Sequence, residues 1–298
     1  MKKIIALIVC IYITTTASAQ IDTIPKTSGD TSLTNTNNDT VRVAGVIIIN
    51  HHDKKKKEVE ITIGKKEKRK VSNVKTSWWL FDIGFANYID KTDYSLGGSY
   101  LVNRPGYPAL GEDDFKLKAG KSVNVNIWFF MQRLNLINHQ LNLKYGLGLE
   151  LNNYRYVSNI SYKQGGNIPY TNPAVYANYP FVFRDSISFT KNKLAADYLT
   201  VPIMLNFTSN PRNPKKSFLL SGGISAGYLY SQRNKQKSAE RGKQKNKGDY
   251  DLEQFKISAI GEIGLGPVVL YGSYSPASMY QKTLNIKPFT LGIRLNNL

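Results

Sequence analysis

The 298-residue chain carries 40 Lys and Arg against 21 Asp and Glu, a formal charge of +19, with 41% hydrophobic residues and a mean hydropathy of −0.33. No stretch of about 18 apolar residues follows the first twenty, which excludes helical membrane spans. The low hydropathy does not exclude a β-barrel, because a barrel hides its lipid face in alternate positions.

Lys2 and Lys3, the apolar run Ile4–Ile13 and the small-residue site Ala17-Ser18-Ala19 together predict a signal peptide over residues 1–19. Its removal takes Cys10, the single cysteine, and lowers the formal charge to +17. The mature chain is thus expected to be exported without a disulfide.

Residues 20–75 read as a periplasmic low-complexity and basic linker. Gln20–Asn38 is rich in Thr, Ser, Asn and Asp and has no aromatics, a composition expected to be disordered. The β-branched runs Val43–Ile49 and Val59–Ile63 are expected to pair as a short hairpin. His51-His52 between the runs suggests a metal site, since His is the commonest ligand, but neighbouring strand residues point opposite ways and no Cys or further His joins them. Surface histidines are the expectation, with no cofactor and no metal.

Residues 76–298 repeat one pattern about eight times: a run apolar at every second position, closed by turn residues. The clearest is Leu141, Leu143, Tyr145, Leu147, Leu149, Leu151. A period of two sorts side chains to opposite faces of a strand, and the length fits the ~9–11 residues of a transmembrane strand. Strands are predicted at Ser77–Tyr88, Lys121–Leu134, Gln140–Asn153, Ala195–Thr208, Lys216–Gln232, Asp251–Leu265, Val268–Ser275 and Lys287–Asn297. The connections between them alternate long and short, as in outer-membrane barrels with short periplasmic turns and long external loops. The expected fold is all-β, an eight-stranded antiparallel up-and-down transmembrane β-barrel whose N-terminal segment and C-terminus are periplasmic.

Parity fixes which face meets lipid. With Phe81, Ile83, Phe85, Leu149, Leu199, Val201, Ile203, Phe255, Ile257, Phe289 and Leu291 outward, the interior holds Asp82, Lys144, Glu150, Lys256, Glu262 and Arg294. Reversing the register would put six ionised groups toward lipid, at about 2–4 kcal/mol for each midplane base and less for acids. In so narrow a barrel these groups should pair as a lumen charge network and plug the interior.

Aromatics at strand ends (Trp78, Trp79, Tyr88, Trp128, Tyr154, Tyr156, Tyr198, Tyr228, Tyr230, Tyr280) read as interfacial girdles. Tyr170, Tyr176, Tyr179 and Phe181, in the long second external loop with three prolines, form a candidate external binding surface. Basic patches at Lys54–Lys70 and Arg233–Lys247 favour outer-membrane lipid and lipopolysaccharide over nucleic acid in an exported chain.

Tyr198-Leu199-Thr200-Val201-Pro202-Ile203-Met204-Leu205 resembles a strand of PorT-like outer-membrane β-barrel proteins. Gly222-Gly223-Ile224-Ser225-Ala226-Gly227-Tyr228-Leu229 and Gly261-Glu262-Ile263-Gly264-Leu265-Gly266 are similar to their next glycine-rich strands. The resemblance covers Ser77 to the C-terminus and implies an outer-membrane β-barrel, with a secretion-system link through the family's namesake. The Lys-rich stretch before the barrel departs from the family pattern.

A barrel enzyme needs a base and a nucleophile within reach at the outer rim. The mature chain offers only His51, His52 and His139, with Asp113, Asp114, Asp185 and Ser186 on loops, so no catalysis is expected. The expected function is that of a non-enzymatic, monomeric outer-membrane barrel with a structural or binding/secretion-accessory role and an envelope or secretion-machinery protein as partner. The alternatives are a soluble periplasmic β-protein and a barrel enzyme.

Overall fold

The computed structural model describes residues 38–43, 46–53, 56–63, 72–213 and 216–295. The predicted signal peptide, the predicted disorder of 20–37 and the basic run 64–71 lie outside the described residues. The chain divides into two compact units, Met1–Lys68 and Arg69–Leu298.

In the first unit β1 (Asn38–Val43), β2 (Val46–Asp53) and β3 (Lys56–Ile63) form an antiparallel meander. The expected pairing of the two runs is present, with Val46–Ile49 against Glu60–Ile63; in addition a third strand precedes it, and β2 runs on through His51-His52. His51 and His52 stand opposite Glu58 and Lys57. Three strands give a sheet more cohesion than an isolated hairpin, which is marginal in water.

The second unit contains β4 (Val74–Asp90), β5 (Leu101–Val102), β6 (Val123–Ile137), β7 (Leu141–Arg155), β8 (Ile160–Lys163), β9 (Gly166–Asn167), β10 (Tyr176–Ala177), β11 (Phe181–Arg184), β12 (Lys191–Thr208), β13 (Phe218–Ser238), β14 (Gly242–Lys247), β15 (Phe255–Leu265), β16 (Val268–Tyr274) and β17 (Ile286–Leu295). The eight long strands pair antiparallel in chain order, β4-β6-β7-β12-β13-β15-β16-β17, and β17 pairs back onto β4. The sheet is therefore a ring of eight strands without a free edge among them, which removes the hazard of unpaired strand edges.

Alternation holds round the ring. Phe81, Ile83 and Phe85, then Ile203 and Leu205, Phe255 and Ile257, and Leu270 and Leu291 are exposed on the outside, while Asn124, Asn126, Asn142, Asn152 and Asn206 are buried inside. So wide an apolar belt is unlike the surface of a soluble monomer. Bulges interrupt the pattern: on β13 Tyr230 is left out of the pairing with β12, and the buried positions pass from Ser225 and Leu229 to Asn234 and Gln236, while another bulge lies between β4 and β6. Trp79, at φ +53°, and Phe129 fall outside the β4–β6 pairing and stack edge to face at 5.8 Å. This bulge restarts the alternation one residue out of phase, so that Trp78 and Phe130 pack together outside while Leu80, Trp128 and Met131 are buried.

The long connections all leave one end of the ring and are more ordered than the sequence suggested. β5, β11 and β8 form a small sheet, β9 pairs with β10, and the expected loop 233–250 is replaced by a β13 that runs to Ser238 and folds back as β14.

Candidate functional site

Six charges meet inside the ring, and each has a partner. Arg294 on β17 donates Nε to Asp82 Oδ1 at 2.5 Å and Nη2 to Oδ2 at 2.8 Å, while its Nη1 reaches Glu262 on β15 at 2.5 Å. Lys144 on β7 donates to the other oxygen of Glu262 at 2.5 Å, and Lys256 on β15 donates to Glu150 on β7. Since β7 and β15 are separated in the ring by β12 and β13, the two lysines are struts across the interior. Neutral donors complete the acids: Trp128 Nε1 to Asp82 at 2.7 Å, Ser221 Oγ to Glu262 at 3.0 Å and Asn152 Nδ2 to Glu150 at 2.9 Å. Buried charges persist in a low dielectric only when paired and hydrogen-bonded like this. The void left among them is about 30 Å³, room for about one water.

A second tier, mostly aromatic, lies between the charges and the long-loop end. Tyr154, Tyr156 and Tyr198 are buried there with Phe115, Tyr162, Tyr250 and Tyr280. This corrects the girdle reading for Trp128, Tyr154, Tyr156, Tyr198 and Tyr280, all of which are buried. Tyr88 too is turned in, its hydroxyl donating to the Phe115 carbonyl. Trp78, Trp79, Tyr228 and Tyr230 do stand exposed outside.

The cap is tied by phenol hydroxyls. Tyr162 Oη lies 2.7 Å from Tyr156 Oη and 2.9 Å from Tyr280 Oη, and Tyr100 donates to the Tyr250 carbonyl at 2.9 Å. Burial pushes Tyr156 up to about 12, against hydrogen bonds from Tyr162 and Tyr280 that pull it down. Tyr100, Tyr162 and Tyr280 are pushed well above the phenol range, also by burial. A raised phenol pKa means the folded state holds the proton more tightly than the unfolded one. That stabilisation is complete below pH ~10 and is lost as the pH rises through about 12. A tyrosinate absorbance titration is therefore expected in two waves, one near pH ~10 and a later, cooperative one as the cap opens. A single wave near the free-phenol value would mean that the cap is open.

Of the candidate external residues, Tyr176 is 72% exposed and Tyr170 and Tyr179 are each 38% exposed. Phe181 is corrected: it is buried against Ala177 and Phe183, because β11 is the middle strand of the loop sheet and turns that side chain inward. Tyr170 donates its hydroxyl to the Arg184 carbonyl at 2.8 Å and lies 5.6 Å from the Arg104 guanidinium, which also stacks on Tyr107 at 4.3 Å. Arg184 clamps the first long connection to the second, donating to both carboxylate oxygens of Asp114 at 3.0 and 2.6 Å.

The rim acids are engaged structurally. Asp185 accepts from Ser161 at 2.8 Å and pairs with Arg241 at 3.2 Å, while on the surface Lys116 beside Asp113 holds that carboxyl below its ordinary range. His139 sits in the short connection between β6 and β7.

The family description "outer membrane protein beta-barrel domain" matches residues 90–277, from the end of β4 to just past β16. The chain belongs to this outer-membrane β-barrel family. The ring is its barrel, and the exposed aliphatic belt is the surface that an outer-membrane location explains. No curated protein and no solved structure matches the chain.

Sequence reasoning missed Trp128, Tyr271 and the tyrosine tier as interior residues. The signal that would have found most of them is parity: Tyr88, Trp128, Tyr154, Tyr156 and Tyr198 share the even positions of Asp82, Asn126, Glu150 and Thr200.

Proposed function

We propose that this chain is a sealed, non-enzymatic, monomeric barrel that spans the outer membrane, with both termini in the periplasm and the long connections outside. Its role is to present a fixed external surface and to tether the N-terminal basic segment beneath the membrane, as a structural or secretion-accessory component. The observation that carries this reading is the doubly filled interior. A layer of compensated charges lies below an aromatic cap built from the long connections, and the rim acids Asp114 and Asp185 are each held by an arginine.

The PorT-like motifs on β12, β13 and β15 favour a secretion-accessory role with an envelope protein as partner. The exposed Tyr176 and Tyr179, and Tyr170 beside Arg104, are of the residue types that anchor protein contacts.

Purified chain should run faster unboiled than boiled and give no unitary conductance in planar bilayers. Stable channel openings would overturn the sealed barrel, and release from membranes by carbonate alone would favour a soluble periplasmic protein. For the secretion role, deleting the gene should alter the set of exported proteins; an unchanged set would leave only the structural role.

A further inference from the structure

Beyond the apolar belt, the outward face of the barrel becomes cationic along one arc. β12 keeps its parity past Leu199 but carries Lys193 and Lys191 where the belt carries aliphatics. Lys193 stands directly opposite Arg155 on β7 and Lys235 on β13, and Lys235 stands opposite Lys245 on β14. The next row sets Lys191, Lys237 and Lys243 side by side, and the row nearer the belt sets Arg233 against Lys247.

Like charges directly opposed on a sheet are unfavourable. Among the described residues, only Arg233 of this group has a carboxylate partner, Asp197. Lys193 donates instead to the Asn153 amide oxygen at 2.6 Å and Arg155 to the Thr190 carbonyl at 2.8 Å. The Nε–H groups of Arg155 and Arg233 are buried with no acceptor. The other face of the same strands is fixed to the cap, with Gln236 donating to Ser161 at 2.8 Å and Asn192 to the Ile160 carbonyl at 2.7 Å. The cations are thus held on a rigid support rather than on a free loop.

We propose that this grid binds the phosphate groups of the glycolipid in the outer leaflet. The inference rests on the reading that the barrel spans the outer membrane with its long connections outside. Continuity with the belt selects a membrane occupant: Lys193 lies six residues beyond Leu199, ~20 Å along the strand and ~15 Å in height at the usual tilt. The headgroup layer takes up ~5–8 Å beyond the hydrocarbon. The grid therefore stands at and just above the headgroups, level with the phosphorylated sugars of lipopolysaccharide. Rows of ammonium groups on adjacent strands suit a ligand with several phosphates, each able to sit between cations that otherwise repel one another.

The test uses the folded full-length chain in detergent, with lipopolysaccharide and its phosphatase-treated form as probes. The wild type should bind the phosphorylated form, and binding should weaken at least about tenfold on dephosphorylation, in high salt, or in a Lys193→Gln/Lys235→Gln/Lys245→Gln variant. A second variant, Lys191→Gln/Lys237→Gln/Lys243→Gln, should show the same loss, and both should keep the unboiled gel mobility of the wild type. Equal binding of the dephosphorylated form, or unchanged binding by both variants, would overturn the site while leaving the barrel reading intact. Tighter binding of heparin than of lipopolysaccharide would overturn it in favour of a soluble polyanion. Wild type whose mobility does not change on boiling would overturn the barrel reading, and the site with it.

Discussion

Arg294→Met will lower the unfolding midpoint in detergent far more than Leu149→Ala on the outer face. Arg294 gives two hydrogen bonds to Asp82 and one to Glu262, and it is 2% exposed. Without it Asp82 keeps only the neutral donors Trp128 and Asn126. Removing one partner of a buried pair typically costs about 3–5 kcal/mol, because the remaining charge is left uncompensated. Leu149 faces outward, where lipid or detergent refills the space and no void forms. Glu150→Leu should resemble Arg294→Met, since it strands the Lys256 ammonium. Adding Asp82→Asn to Arg294→Met should recover part of the loss, a coupling that a double-mutant cycle would measure. Guanidinium unfolding followed by tryptophan fluorescence provides the readout. A neutral Arg294→Met would mean that water solvates the interior and that the seal is absent.

Gly292→Val should abolish the compact, fast-migrating form altogether. Gly292 on β17 stands opposite Gly84 on β4, at the seam where the last strand meets the first. A Cβ at Gly292 would lie 2.5 Å from the Ile83 carbonyl oxygen, 2.6 Å from Gly84 Cα and 2.6 Å from the Tyr271 ring. Two of those atoms are backbone, so relief requires the strands to part, and this ladder is what closes the ring. The ring of Tyr271 fills the space that the two glycines leave, and its hydroxyl donates to Asn124 at 2.5 Å. Gly222→Val is the control, because a Cβ there meets nothing within 4 Å. Folding of Gly292→Val with wild-type mobility would mean that the seam is looser than these distances require.

The strand order, the closure and the interior placement of all six charges were legible because a period of two carries its own energetic check. A slip of one residue would expose Asp82, Lys144 and their partners to lipid. Less legible was anything that broke the period. The bulge at Trp79 and Phe129 leaves no compositional mark, and it resets the parity of β4 and β6 between it and the short-loop end. The tyrosines were misread for the opposite reason, as a rule about residue type was preferred to parity where the two disagreed. Tyr154 continues the inward series Lys144, Glu150, Asn152, yet its place near a strand end suggested a girdle. The ordered loops were not legible at all. β14 is a run of Lys, Gln, Asn and Gly with little strand propensity, and it is held in register by its pairing to β13. In the long connections, Phe181 sits among prolines and tyrosines that look solvent-facing until the pairing of β11 with both β5 and β8 is known.

The tyrosine cap also limits how this protein can vary. Surface loops ordinarily diversify one at a time, because each hangs independently from its scaffold. Here Tyr100 and Phe115 from the first long connection, Tyr162 from the second, Tyr250 from the third and Tyr280 from the fourth share one core. A change at any of these anchors is felt by all four connections, so they must evolve in concert. Freedom is left to the stretches that overhang the core, such as 103–109 and the tip 168–175 between β9 and β10. New recognition can be written there, or a foreign peptide displayed, while the seal beneath stays as it is.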